Sequence, residues 1–274
     1  MTIYSHSRLS TFEQCPLKFK YKYIDKIIPE IEKTIEIHLG STVHDTLEWL
    51  YTQVQNNKLP TIDEIIVHYA DKWQQTYTPK IIIVKNGFTS KDYFNKGVQF
   101  ILNYYTKHQP FKDGTIEIEK RILINLDEQG EYKLQGFIDR LVHNKETNQY
   151  EVHDYKTANF LPKQEKFEND RQLALYSIGV KDLFGQDKEV LLIWHYLAHN
   201  QKICSRRTNE QLQQLKKETV ALINKIEATE KFPPKVTKLC NWCEYKSMCP
   251  KFGKKIPEQK TKILDKQKGL DIWY

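Results

Sequence analysis

The spacing of apolar residues divides this chain into stretches of helical and of strand period. Leu9, Phe12, Cys15 or Pro16, and Phe19 recur at helix spacing, predicting a helix over Ser7–Tyr23 with Ser7 or Ser10 as its cap. Pro16 inside that pattern predicts two short turns or a kink. A second helix is expected over Gly40–Asn56, with Val43, Leu47, Leu50, Tyr51 and Val54 as its stripe. Residues 61–77 carry Ile62, Ile65, Ile66, Tyr69 and Trp73 at the same spacing, and 90–107 carry Phe94, Val98, Ile101, Leu102 and Tyr105. The apolar run Ile81–Val84 between them is too short to assign. Residues 58–110 therefore read as a helical elaboration whose aromatic side chains pack.

At Thr115 the period changes to two. Ile116, Ile118, Ile122, Ile124 and Leu126 alternate with Glu117, Glu119 and Arg121, the pattern of a half-buried strand. A polar turn at Asp127–Gly130 leads into Gly-Phe-Ile-Asp-Arg-Leu-Val from Gly136. A second turn at Asn144–Asn148 leads into Tyr-Glu-Val-His-Asp-Tyr-Lys-Thr, ending at Thr157. Thr115–Thr157 thus reads as a three-stranded meander. A helix over 170–184, a buried strand over Val190–Leu197, a turn at His199–Gln201 with a partner strand to about Arg206, and a helix from Thr208 to about Glu230 complete the pattern. The class is α/β, a mixed central sheet flanked by helices, with a core over 115–197.

Composition adds limits more than identity. The 274 residues are 39% hydrophobic and 28% charged, enough to bury a full core and unlike a disordered chain. No apolar run approaches the roughly 20 residues that span a bilayer, and the N-terminus lacks the apolar stretch of a signal peptide. A cytoplasmic location is the expectation. The net charge of +7 is compatible with simple solubility, and points to nucleic acid only alongside chemistry that acts on it. The lysines at 18, 20 and 22 are equally open to a solvated face. There is no Walker A loop and no internal repeat.

Chemistry concentrates in the meander. Strand alternation puts Asp154 and Lys156 on one face beside Val152, and Asp139 on the neighbouring strand can reach the same point. Two carboxylates and an ammonium suit a hard divalent cation and a charged substrate. Gln172 and Tyr176, four residues apart, share a helix face, as do His44 and Glu48. A helical histidine is more often packing than a ligand, and Glu119 reads equally as an exposed strand residue.

Gly-x-x-Asp ending at Asp139, Asp-x-Lys at Asp154–Lys156, and Gln-x-x-x-Tyr at Gln172–Tyr176 occur here in an order and spacing that resemble the PD-(D/E)XK nucleases. They are similar in particular to the RecB-like exonuclease branch, with the AddB and CRISPR spacer-acquisition nucleases. Gly40-x-x-x-His44-x-x-Leu47-Glu48 resembles that branch's histidine motif. The resemblance implies a restriction-endonuclease-like core in one nuclease domain over 1–274. It implies Mg²⁺ or Mn²⁺ held by His44, Asp139, Asp154 and the carbonyl of Tyr155, with Lys156, Gln172 and Tyr176 completing the catalytic set and Glu119 as a possible accessory. DNA is the implied substrate. A DNA recombination or repair exonuclease working with a separately encoded helicase, and a CRISPR adaptation nuclease, are both consistent with it.

Five cysteines in an expected cytosolic chain favour a metal or cluster over disulfides. Cys240-x-x-Cys243-x5-Cys249 within 236–252 offers three thiolates, and Cys15 is the candidate for a fourth. Spacing alone defaults to structural Zn²⁺. The layout of one N-terminal cysteine and a C-terminal trio resembles the iron–sulfur nucleases and implies a 4Fe–4S cluster. Cys204 reads as a buried hydrophobe. The basic tail, 253–274, is open to a DNA-contacting arm or a solvated end. Two rivals remain from other classes, a non-catalytic DNA-binding module on a nuclease core and a redox-sensing iron–sulfur protein.

Overall fold

In this computed structural model, residues 3–31 and 33–252 are described. Strand β1 (Tyr4–Ser5) runs straight into helix α1 (His6–Gln14), capped by Ser5, whose hydroxyl accepts from the Arg8 amide. The cap is thus Ser5, upstream of Ser7 and Ser10, because the short strand sets the entry. Cys15 is extended, as the residue before a proline must tend to be, and α2 (Pro16–Phe19) restarts with proline at its first position. One π-helical turn, Lys20–Ile24, follows. The expected helix is therefore two pieces, and Cys15 sits in the break.

Strand β2 (Lys33–Thr34) leads into α3 (Ile35–Gln55), which begins five residues before Gly40. Gly40 serves proximity instead of initiation: a Cβ there would sit 3.3 Å from Thr157 Oγ1, so the helix lies close against the end of the meander. Helices α4 (Ile62–Thr76) and α5 (Ser90–His108) each start with a capping box, Thr61 with Glu64 and Thr89 with Asp92. Between them β3 (Ile81–Ile82) pairs parallel with β2.

The main sheet begins with the expected meander, β4 (Thr115–Asn125), β5 (Lys133–Asn144) and β6 (Gln149–Lys156), all antiparallel. The crossover through α6 (Gln164–Glu168) and α7 (Arg171–Phe184) brings β7 (Val190–Tyr196) parallel to β6. Strand β8 (Gln201–Ser205) returns antiparallel after a left-handed Asn200, and α8 (Asn209–Glu227) closes the order, capped by Thr208. With β1 beside β5, this is a mixed six-stranded sheet. Cys204, expected inside, is exposed on the edge strand β8. No helix of the described residues is long and apolar enough to cross a membrane. The basic tail lies outside the described residues.

One face of the sheet packs Val152, Trp194 and Tyr196 against α1, α7 and α8 through Leu9, Phe12, Leu173, Leu175, Leu212 and Ile223. The other face carries Tyr155, under Val43, Leu47, Leu50, Tyr69 and Ile101 of α3–α5. Helices thus flank a mixed sheet, the α/β class read from the sequence. The alternation in β4 and β5 is not continuous, however. Ile122 and Ile138 face the α7 side, whereas Ile118 and Arg140 face the α3 side. Both strands reverse their facing at one opposed pair, Glu119 and Asp139. Glu119 adopts a left-handed φ of 46°, a conformation costing a non-glycine residue about 1–3 kcal/mol.

Candidate active site

The reversal lies beside a fork in the sheet. Strand β5 pairs with β1 at Leu134 and Gln135 and with β6 only from Arg140 onward, while β4 covers its other edge. Gly136–Asp139 thus lie open between β1 and β6. The end of β6, the start of α1, Gln172 and Tyr176 of α7 and His44 of α3 converge there. Gly136 makes room for this, since a Cβ would come within 2.2 Å of Tyr176 Cε1. The resulting cleft, about 670 Å³, is lined by His44, Glu119, Asp139, Gln172 and Tyr176.

One carboxylate oxygen organises the centre. Asp139 Oδ2 lies 3.3 Å from His44 Nδ1 and accepts from the Tyr155 amide at 2.9 Å. His44 Nε2–H donates to the Tyr155 carbonyl at 2.7 Å. The ligand atoms of His44, Glu119 and Asp139 lie within 4.8 Å of one another. His44 thus touches two other sequence-expected metal groups, Asp139 and the Tyr155 carbonyl, and Glu119 joins His44 and Asp139. Asp154 stands outside that tight set. It is paired with Lys156, whose ammonium lies 2.8 Å from Oδ2 and donates to Oδ1 at 3.0 Å. Lys156 also donates to Gln172 Oε1 at 3.2 Å, and Gln172 reaches the Tyr176 hydroxyl at 3.4 Å. The expected face-sharing of Asp154, Lys156 and the helical pair is realised in this chain of contacts.

The electrostatics call for a cation. Burial and the neighbouring Asp139 push Glu119 up to about 7. Burial also raises Asp154, with Asp139 adding to the shift and Lys156 opposing it. For His44 burial disfavours charge, but Asp139 and Asp154 outweigh it and hold the imidazole above its ordinary range. For Lys156, likewise, burial is overcome by Asp154, and the pKa rises. Lys156 is thus a fixed ammonium, unsuited to taking a proton. The set fits a hard divalent ion: oxygen donors and one imidazole within reach, and Asp154 Oδ2 buried without a well-aligned hydrogen bond.

Behind the strands lies a polar layer the sequence reading missed. Arg140, 1% exposed, donates to the Tyr155 hydroxyl at 3.0 Å, to Thr115 Oγ1, to Asp113 and to His153 Nδ1 at 2.7 Å. Since arginine only donates, His153 accepts at Nδ1 and carries its proton on Nε2, which donates to Glu151 at 3.0 Å. His195 Nε2 lies 2.8 Å from the same Nδ1. This layer ties β5 to β6 at the residues adjoining Asp139 and Asp154. Its signal in the sequence was an arginine and two histidines inside otherwise apolar strands.

The cysteines form a second candidate site. Cys15, Cys240, Cys243 and Cys249 line one cavity of about 100 Å³. The Lys235 amide points at Cys15 Sγ (3.5 Å) and the Thr237 amide at Cys240 Sγ (3.3 Å). A Lys18–Glu244 ion pair at 2.8 Å joins the same segments. Among the described residues no three of these sulfurs come within 4.8 Å of one another.

Comparison with known proteins agrees with the fold. No curated protein matches this chain in sequence. Among solved structures, "Putative exonuclease" from Eubacterium rectale covers 95% of this chain and 91% of its own, with a TM-score of 0.52 and 12% identity, a likeness of fold alone. The structure of SSO0001 covers 86% of this chain and 95% of its own at 15% identity, but its TM-score of 0.36 is too low to support an argument. The family model of the PD-(D/E)XK nuclease superfamily matches residues 3–250, nearly the whole chain. The chain belongs to the PD-(D/E)XK nuclease superfamily, and it is a phosphodiester-hydrolysing nuclease.

Proposed function

We propose that this chain is a metal-dependent DNA exonuclease of the RecB-like, iron–sulfur branch, acting in recombination or repair. The observation that carries the reading is the meeting of His44, Glu119 and Asp139 within 4.8 Å, one carboxylate away from an Asp154–Lys156 pair, inside an open fork of the sheet. His44, Asp139, Asp154 and the Tyr155 carbonyl hold Mg²⁺ or Mn²⁺, with Glu119 as an accessory. When bound, the ion neutralises phosphate charge and acidifies a water. Lys156, held cationic, faces the negative charge that builds on phosphorus. Gln172 fixes the lysine's position, and Tyr176 fixes Gln172. Arg140 and its histidines hold β5 and β6 in register beneath the carboxylates.

The cysteine quartet holds a 4Fe–4S cluster on this reading. Support comes from the four cysteines around one cavity and the amides aimed at two of the sulfurs. The whole chain acts as one nuclease unit, with 58–110 elaborating it. A separately encoded helicase is the fitting partner. End-labelled single- and double-stranded DNA, incubated with the purified protein and Mg²⁺ or Mn²⁺, tests the activity. Stepwise shortening from an end is expected; internal nicking alone would replace "exonuclease" with "endonuclease", and no cleavage with either ion would remove the reading.

A further inference from the structure

The β4–β5 ladder continues past the acidic pair. Arg121 lies opposite Phe137, and Leu123 opposite Gln135. Directly paired residues share a face, so these four form one surface, while Ile122, Ile124 and Ile138 are buried on the other. That surface is partly open to solvent: Phe137 is 38% exposed and Leu123 47%. Phe137 and Gln135 line the same cleft as His44, Glu119 and Asp139, and so does Ile37 of α3, at 53% exposed. Other aromatic residues of the helical region are taken up by one another, as in the contacts among Tyr69, Trp73 and Phe94.

We propose that Phe137, with Ile37 across the cleft, is a base-stacking platform that holds a single strand of DNA next to the metal-ligating set, with Arg121 contacting its backbone. The proposal rests on the nuclease reading above and names the form of its substrate. Residues two apart on a strand are separated by about 6.8 Å. A phosphate at Asp139 therefore leaves the adjoining base within reach of the Phe137 ring. Stacking needs a free base face, and in a duplex both faces are taken by neighbours, so the platform selects single strands or frayed ends. Arg121 donates to Gln135 at 2.9 Å and is otherwise exposed. It supplies a cation just beyond a cleft whose other end holds Asp45, Glu48, Glu119 and Asp139.

The test measures binding of a labelled oligothymidine and of a blunt duplex by fluorescence anisotropy, in a Lys156→Ala background with Mg²⁺ present. Phe137→Ala should weaken oligothymidine binding about 5- to 100-fold, with a smaller change for the duplex, and Phe137→Trp should retain binding. Arg121→Ala should lower the salt dependence of binding by about one phosphate contact. In the otherwise unmodified enzyme the Phe137→Ala loss should appear mainly in KM for single strands. An equal loss on both substrates, or a Phe137→Leu variant that binds like the parent, would overturn the platform, the second by reducing Phe137 to apolar bulk. Melting temperatures of the variants separate misfolding from lost contact. A parent enzyme that cuts no DNA would remove the nuclease reading itself; an active enzyme indifferent to Phe137→Ala removes only the platform.

Discussion

The fork and the cysteine cavity are built in opposite ways. In the fork, His44, Glu119 and Asp139 ride on paired strands and a long helix and are already within 4.8 Å, and burial with the nearby Asp139 raises Glu119 and Asp154. The sheet and the α3 packing hold them against that repulsion. At the cavity, the sulfurs ride on short turns, Cys15 between α1 and α2 and the other three along 3-10 turns near residue 245, and stand apart. The Lys18–Glu244 pair, the Tyr245 hydroxyl on the Ile27 carbonyl, the Tyr21 hydroxyl on the Met248 carbonyl and the Tyr21–Tyr245 ring contact join those turns to the N-terminal segment. A fold that holds its ligands should survive loss of the ion; if the cysteines carry the proposed cluster, their segments should not survive its loss. On that proposal, activity and stability depend on different sites.

The sharpest way to break this comparison is at the fork. Asp139→Ala, Asp154→Ala and Lys156→Ala should each lower turnover by at least about 10²- to 10³-fold, with melting temperature preserved. A Lys156→Ala enzyme with near-normal turnover would sink the assignment. At the cavity the expected loss is in stability. If Cys15 shares a cluster with Cys240, Cys243 and Cys249, it closes a loop of more than 200 residues. By restricting the unfolded chain, such a tether contributes on the order of several kcal/mol. Anaerobically purified protein should be brown with about four irons per chain, and Cys15→Ser should bleach it and lower its melting temperature. Colourless protein with one zinc would exclude the cluster and keep the tether.

A smaller effect is expected from His44→Ala: a higher Mn²⁺ requirement, relieved by excess ion, with little change in melting temperature. Lost stability with unaltered metal dependence would make His44 a packing residue. The mildest effect is on pH. Burial lowers His108 to about 4 and drives His153 and His195 further below the ordinary histidine range, with Arg140 adding to the shift in both. A histidine whose pKa falls on folding binds fewer protons in the folded state. Its stability contribution is therefore complete above about pH 6.5 and is lost as pH drops from there toward the folded pKa. His44, raised by Asp139 and Asp154 against its burial, works in the opposite sense. Thermal melts from pH 7 to pH 4 should show progressive destabilisation, weakened in a His108→Gln variant; a flat profile would mean the buried network is not held neutral.

Much of this chain is local in origin and therefore readable along it. Period-2 and helical spacing placed the meander, the long helices and the parallel β7 to within a few residues, because burial of alternate or every-third side chain is a one-dimensional constraint. The same constraint put Asp154 and Lys156 on one face. Where a single residue breaks the period, the pattern misleads. The left-handed Glu119 reverses the facing of β4, and Ser5, not Ser7 or Ser10, starts α1 because β1 ends there. The residue type of Cys204 predicts burial, whereas its exposure follows from β8 lying at a sheet edge.

What tertiary structure alone decided is which distant residues meet. The sequence determined the candidates: a histidine at 44, carboxylates at 119, 139 and 154, a lysine at 156, cysteines at both ends. Selection among them depended on the gap between β1 and β6, the close approach of α3 at Gly40, and the Tyr176 ring over Gly136. Arg140, His153 and His195 looked like isolated polar interruptions until strand pairing brought them together. Pairing and packing join positions far apart in the chain, and a linear periodicity records which face a residue takes but not what waits on that face.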